Sequence, residues 1–170
     1  MQVVPGQAVA ALQKRQLDDE AAADNLAAES LDVAMRHYAP APLDKALPFI
    51  TQIAGAIDFA RAAGVGHGGL HPRDVFVTPD EARATGFGVV EALEAVGIRA
   101  PVRRPYTAPE RIDGASWGTA ADIFSLAATL WTLLIGAPPR YGDVLKLDKL
   151  APGLPPELHT ALAGGLEMLP

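Results

Sequence analysis

The sequence predicts a mainly α domain that carries one small β-hairpin. Its 170 residues suffice for a single domain, and an apolar fraction of 49% with 20% charged residues is typical of a globular chain. Two long segments, 43–63 and 119–135, have helical patterns, whereas two short apolar runs, 75–77 and 82–85, flank a turn. Long helical segments beside a single hairpin indicate a core formed mainly by helices.

The first 42 residues are predicted to precede this core. Residues 1–6 read as a short extended segment that ends in a Pro-Gly turn. Residues 7–15 have helical spacing, and residues 17–39 are rich in alanine and acidic groups, a composition that favours helix. The prolines at 40 and 42 are expected to end this helix.

Residues 43–63 form the clearest amphipathic pattern in the chain. Apolar side chains recur at helical spacing at Leu47, Ile50, Ile53, Ala54 and Ile57. Gly64 follows, as glycine often does at the end of a helix. Beyond it we expect a hairpin over 75–85, an irregular or briefly helical stretch over 89–105, a buried helix over 119–135 and a final helix from 154 to 168.

Charge and composition exclude several classes of function. A net charge of -6 argues against a nucleic-acid partner, which usually requires a basic face, and the absence of cysteine excludes disulfides and thiolate metal sites. No signal-peptide pattern begins the chain, and its longest apolar run, 123–135, is shorter than the about 20 residues that cross a bilayer. We expect a cytoplasmic protein without a membrane segment in this chain; the alternative is the cytoplasmic part of a larger or membrane-anchored protein.

Residues 65–77, hereafter the loop 65–77, resemble the catalytic loop of protein kinases, H-R-D-L-x-x-x-N. His67, Leu70 and Pro72 stand where that family has the same residues. The reactive positions of the family carry other residues in this chain: Gly68 for the arginine, Gly69 for the aspartate base, His71 for the lysine and Asp74 for the asparagine. The loop thus resembles a kinase loop that keeps its framework and loses its reactive groups.

Further motifs follow in the order of that family. The D-F-G motif has its counterpart in Gly86, Phe87 and Gly88, and the A-P-E motif in Ala108, Pro109 and Glu110. Asp122 resembles the aspartate that begins the long central helix, and residues 1–6 are similar to the hinge between the two kinase lobes. In this order the motifs are specific, and the bacterial Ser/Thr kinase type is the most similar.

The resemblance implies a kinase-like C-terminal lobe over the whole chain, 1–170. Residues 1–6 would be a hinge-like segment, 17–42 a helical insertion and 43–170 the core of the lobe. The Gly-rich phosphate loop and the strand lysine of the family precede its hinge, so we expect the N-lobe to be absent from this chain. The retained residues His67 and Asp122 are expected to pack beneath the loop and to bind its backbone, respectively.

The substituted positions predict that the chain is not an enzyme. Gly69 has no side chain to accept a proton, and Gly86 has none to bind magnesium. We expect no catalytic residue, no cofactor, no bound ATP and no metal. Asp74 is a weak metal candidate that is better explained as a turn carboxylate. A zinc pair of His67 and His71 is rejected, because the glycines between them and the proline after them disfavour a helix.

The leading hypothesis is a catalytically inactive pseudokinase fragment that acts as a protein-binding, scaffolding or regulatory module. The alternatives are the C-lobe of a divergent Ser/Thr kinase that binds nucleotide when joined to an N-lobe, or a remnant that folds poorly. Residues 89–105 contain no Ser, Thr or Tyr, so we expect no phosphorylation switch there. Their cluster of Arg99, Arg103 and Arg104 is either a docking point for an anionic partner or part of a solvated loop.

Overall fold

The computed structural model describes residues 28–140 and 142–167 of the chain. In chain order the elements are β1 (Glu29–Ser30), α1 (Leu31–Tyr38), α2 (Leu43–Ala62), β2 (Val75–Val77), β3 (Ala82–Ala84), α3 (Val89–Ala95), α4 (Pro109–Ile112), α5 (Thr119–Ile135), α6 (Leu147–Leu150) and α7 (Pro156–Gly165). The mainly α fold class with a small β component is confirmed. No helix in these residues is long and apolar enough to cross a membrane.

Helix α5 is the centre of the fold. Its Ala128 and Trp131 are 0% and 1% exposed, and helices α2 and α7 pack against it. The approach of α7 is close, because a Cβ on Gly165 would come within 2.7 Å of the Ala127 Cβ. Burial of one large apolar side chain contributes about 1.5–3 kcal/mol, so the apolar surface of α5 anchors the lobe. The prediction of a buried helix over Thr119–Ile135 is confirmed.

Helix α2 presents the predicted apolar face to this core. Ile50, Ile53 and Ile57 are buried, as the spacing predicts, whereas Leu47 is 42% exposed near the start of the helix. The Gln52 side chain faces the hairpin, where its Oε1 accepts a hydrogen bond from the Ala82 N–H at 2.8 Å. Helix α2 therefore joins the sheet to α5.

The predicted hairpin is confirmed but has one strand more than expected. Strands β2 and β3 are antiparallel, with Val75 opposite Ala84. Strand β1 pairs with the other edge of β2 and aligns Glu29 with Val77. Two residues are too short for an alternating pattern, which is why the sequence does not reveal β1.

Two helix predictions need correction. The helix expected over 17–39 begins only at Leu31 within the described residues, because Glu29 and Ser30 pair with β2. The predictions for 1–6, 7–15 and 17–27 lie outside the described residues. The final helix is Pro156–Gly165 and is shorter than the predicted span, whose end at residue 168 also lies outside them. The stretch 89–105 contains α3, in agreement with a brief helix.

Candidate functional site

The loop 65–77 is held by a buried carboxylate in the first turn of α5. Asp122 is 2% exposed. Its Oδ2 accepts a hydrogen bond from the His67 N–H at 3.0 Å, and its Oδ1 accepts one from the Gly68 N–H at 2.7 Å. A carboxylate buried in an apolar helix is costly unless it is hydrogen-bonded, so these two bonds fix the loop to the core. This is the contact that the resemblance implies for Asp122.

His67 packs beneath the loop. It is 3% exposed, and its Nε2 lies 2.8 Å from the carbonyl oxygen of Thr85. Its ring meets Phe87 edge to face, with 5.4 Å between the centroids. Leu70 and Pro72 are also buried. Within residues 28–140 and 142–167, no group of three or more His, Asp or Glu side chains is placed to hold a metal ion.

Asp74 ends a short 3₁₀ turn, Pro72–Asp74, inside the loop. Its Oδ2 accepts a hydrogen bond from the His71 N–H at 3.1 Å, and the His71 Nδ1 accepts one from the Arg73 N–H at 3.1 Å. The two side chains thus cap the turn reciprocally. Asp74 has the backbone contact expected of a turn carboxylate.

The Arg103 guanidinium contacts two residues of the loop, Gly69 and Asp74. Its Nη1 donates to Asp74 Oδ1 at 2.9 Å and its Nη2 to Asp74 Oδ2 at 2.6 Å. Nη2 also donates to the carbonyl oxygen of Gly69. Bidentate arginine–carboxylate pairs are strong and directional, so a guanidinium fills the space beside both Gly69 and Asp74. The interpretation of Arg103 as part of a solvated loop or as a free docking point is therefore wrong.

The glycines of the loop are covered by apolar side chains. A Cβ on Gly66 would lie 2.1 Å from the Trp117 ring, and a Cβ on Gly68 would lie 2.9 Å from Val90 of α3. Gly69 differs, because a Cβ there would meet only Val90, at 3.7 Å. The space at residues 66 and 68 is thus taken by neighbours, whereas Gly69 leaves room for a side chain.

Gly86 lies next to the imidazole ring of His67. Its φ of +89° is in the left-handed region, which favours glycine, and a Cβ there would be 3.3 Å from the His67 Nε2. Both backbone geometry and space therefore disfavour a carboxylate at residue 86.

Burial shifts the pKa of His71 in the loop and of Tyr106, which packs against it. Burial lowers the pKa of His71, and the adjacent Arg103 guanidinium lowers that pKa further. The His71 ring meets Tyr106 edge to face at 4.8 Å. Burial raises the pKa of Tyr106, whose hydroxyl donates to Thr132. Both side chains are therefore uncharged at neutral pH.

The A-P-E residues form the start of α4. Ala108 is 1% exposed and Pro109 opens the helix. Glu110 has no salt-bridge partner in the described part of the chain, whereas the neighbouring Arg111 is buried and pairs with Glu94 of α3. The ion pair next to the A-P-E motif is thus formed by Arg111, and not by Glu110.

Comparison with known proteins decides the family. The family model described as "Protein kinase domain" matches residues 22–150. This chain belongs to the protein kinase family. The matched range includes residues 22–42, most of the predicted insertion, and the boundaries of that insertion stay a prediction.

Bacterial relatives agree with this family. The chain is 32% identical over 160 residues to the serine/threonine-protein kinase PknD of Mycobacterium tuberculosis, with 83% of this chain and 24% of the relative covered. It is 30% identical over 159 residues to PknH of Mycobacterium bovis, with 82% and 26% covered. The kinase chain therefore spans about a quarter of the length of these curated relatives.

The fold matches solved bacterial kinase domains as well. The crystal structure of the Mycobacterium tuberculosis PknI kinase domain superposes with a TM-score of 0.63 and 28% identity. The match covers 84% of this chain and 55% of that domain. The kinase-like architecture expected from the motifs is confirmed.

The expectation that this chain is not an enzyme is wrong. Its family model is that of the protein kinase domain, and its curated relatives are named serine/threonine-protein kinases. The expectation rested mainly on the residues at the reactive positions of the family, among them Gly69, His71 and Gly86. Phosphoryl transfer depends mostly on positioning and on electrostatic stabilisation, so two lost side chains do not remove a kinase from the enzyme family.

The kinase motifs do not reveal three features of the site. These are the Arg103–Asp74 pair, the Arg111–Glu94 pair and the contact of Val90 with the glycines. The sequence offered one indication of the first pair, because residues 89–105 contain a basic cluster and the loop 65–77 contains Asp74. Arg103 and Asp74 are 29 residues apart in the sequence, so their pairing depends on the tertiary fold. The sequence pattern alone does not specify which acid an arginine binds.

Proposed function

We propose that this chain is the C-terminal lobe of a divergent Ser/Thr protein kinase that acts together with an N-lobe in the cytoplasm. The observation that carries the proposal is the attachment of the loop 65–77 to Asp122 through two backbone hydrogen bonds. The attachment keeps the loop in a defined shape although Gly68 and Gly69 have no side chains. The named activity of the relatives supports the same assignment.

The proposed phosphoryl transfer is expected to be slow. Gly69 offers no carboxylate to accept the proton of the attacked hydroxyl, and base assistance is worth about 10²–10⁴-fold. Asp74 is the carboxylate in the loop itself, and Arg103 engages both of its oxygens. What remains is the positioning of the reactants by the lobe, because Asp74 neutralises the charge of the Arg103 guanidinium.

Magnesium, the usual kinase cofactor, does not fit the described residues. The ion prefers several oxygen ligands in an octahedron. Gly86 provides no ligand oxygen, and the Asp74 oxygens are already bound to Arg103. The described residues thus lack the ligand set of a magnesium site.

The test uses the full-length native protein that contains this chain. Its melting temperature is measured with ATP in the presence of magnesium or of EDTA, and transfer of labelled phosphate to a generic protein substrate is followed. We expect an ATP-induced shift that EDTA does not abolish, and transfer about 10²–10⁴-fold slower than by the kinase domain of PknD. Absence of both the shift and the transfer would contradict the proposal.

A matched pair of variants sharpens this test. Residue 69 has room for a side chain, so Gly69→Asp adds a carboxylate at the family's base position, whereas Gly69→Ala adds only bulk. Faster transfer by Gly69→Asp, with no gain by Gly69→Ala, would show that the lost base limits the rate. Equal rates in both variants would count against the assigned role of this position.

A second candidate function is that of a protein-binding or regulatory module. It is favoured by the Arg103 guanidinium, which fills the space beside Asp74 and Gly69. This function needs no turnover. It predicts that a partner recovered with the full-length protein from its native host also binds the Gly69→Asp variant, with or without ATP. Loss of the partner on addition of ATP would argue against it.

A further inference from the structure

Residues 89–105, hereafter the segment 89–105, are joined to the loop 65–77 by an ion pair. Arg103 binds both oxygens of Asp74, and the two side chains are 33% and 21% exposed. The backbone N–H of Arg103 also donates to the Thr107 hydroxyl at 2.7 Å, which fixes the start of this side chain. The C-terminal end of the segment is thus tied to the loop by a charge-assisted, bidentate contact.

A second ion pair holds the helical part of the segment. Glu94 of α3 accepts a hydrogen bond from the Arg111 Nη2, and the Arg111 side chain is 6% exposed. The Arg111 Nη1 donates to the carbonyl oxygen of Ala115. A buried guanidinium requires such partners, so release of Glu94 would leave an unpaired buried charge.

An apolar contact completes the attachment. Val90 of α3 is 8% exposed and lies over Gly68 and Gly69. A side chain on Gly68 would collide with Val90, because a Cβ there would lie 2.9 Å from its Cγ1. The absence of an arginine at this position is what allows α3 to rest on the loop.

We propose that the segment 89–105 is permanently docked on the loop 65–77 by the Arg103–Asp74 pair and Val90, and held to α4 by the Glu94–Arg111 pair, without phosphorylation. The segment contains no Ser, Thr or Tyr, and the residues that follow it, Tyr106 and Thr107, are buried. A basic group on the segment and an acid on the loop thus supply a fixed charge contact. This device concerns conformation and does not depend on the proposed transfer activity.

Hydrogen–deuterium exchange of the full chain tests the docking, with matched controls. Glu94→Ala is compared with Glu91→Ala, because Glu91 lies exposed on the same helix and undergoes the same residue change. Arg103→Met is compared with Arg104→Met, because the neighbouring Arg104 is exposed and makes no described ion pair. Each pair isolates one ionic contact.

We expect Glu94→Ala to accelerate exchange in residues 89–98 about tenfold or more, and Arg103→Met to do so in residues 99–105. The two controls should exchange like the wild type. Helix α5 is an internal standard in the same spectra. Wild-type rates in both test variants, or acceleration that is equally large in α5, would overturn a local docking. Because no nucleotide is present, neither outcome depends on the proposed kinase function.

Discussion

The indole ring of Trp117 lies against the backbone of Gly66, so close that a Cβ on Gly66 would be 2.1 Å from the ring. Two residues further on, Gly68 is enclosed by the Trp117 Cβ and by Val90, at 2.8 and 2.9 Å from its potential Cβ. The glycines at 66 and 68 therefore satisfy a packing requirement. Of the three glycines in the loop 65–77, Gly69 alone lacks a close neighbour, and its identity has no steric explanation in the structure.

Gly68→Ala and Gly69→Ala are expected to differ in their effect on stability. Gly68 has a φ of +74°, which strains a residue with a Cβ, and the added methyl would also collide with Val90. We expect Gly68→Ala to lower the free energy of unfolding by about 2–4 kcal/mol through backbone strain and overpacking. Gly69→Ala should stay within about 1 kcal/mol of the wild type. Urea denaturation measures both, and equal losses would refute the steric argument.

Asp122→Ala should be among the most destabilising single changes in this lobe. It leaves the N–H groups of His67 and Gly68 buried without an acceptor, and each such loss costs about 1–3 kcal/mol. We expect a total loss of about 2–5 kcal/mol in the free energy of unfolding. Asp58→Ala is the control, because Asp58 is 71% exposed and its pair with Arg61 is a surface ion pair of small value. A loss no larger than that of the control would show that Asp122 does not anchor the loop.

Long, periodic elements of the fold could be predicted from the sequence. Thr119–Ile135 was predictable because it is apolar on nearly every side over its 17 residues. Helix α2 was predictable because its isoleucines recur at helical spacing. Strand β1 was not, because two residues carry no period and its pairing with β2 is a tertiary choice. The length of each helix or strand therefore decided whether it could be predicted from the sequence.

The site was predictable in its positions but not in its contacts. The resemblance implied that Asp122 binds the backbone of the loop that contains His67 and Asp74, and the structure shows Asp122 bound to the His67 N–H. The sequence could not show that Arg103 reaches Asp74, since a cluster of arginines in an irregular stretch is ordinarily solvated. The conclusion that the chain is not an enzyme was wrong, because the substituted positions, Gly69 and Gly86 among them, were weighed above the membership of the family.

The stability of the lobe should fall in mild acid because of His71. Its pKa in the folded state is lowered from 6.5, first by burial and then by Arg103. The unfolded chain therefore binds more protons than the folded chain as pH drops below about 6.5. The stabilisation from neutral His71 is complete above that pH and is lost as pH falls through the lower folded-state pKa. Denaturant titrations at pH 7.5 and pH 5 should show a lower free energy of unfolding at pH 5.

His71→Asn separates this effect from the general titration of carboxylates. Asparagine keeps a side-chain acceptor for the Arg73 N–H, which the His71 Nδ1 now binds at 3.1 Å, but it does not titrate. The difference in stability between pH 7.5 and pH 5 should therefore shrink in His71→Asn. His37→Asn is the matched control, because it is the same residue change at an exposed position at the end of α1. An unchanged pH dependence in His71→Asn would mean that the buried imidazole does not control the acid response, and that the carboxylates account for all of it.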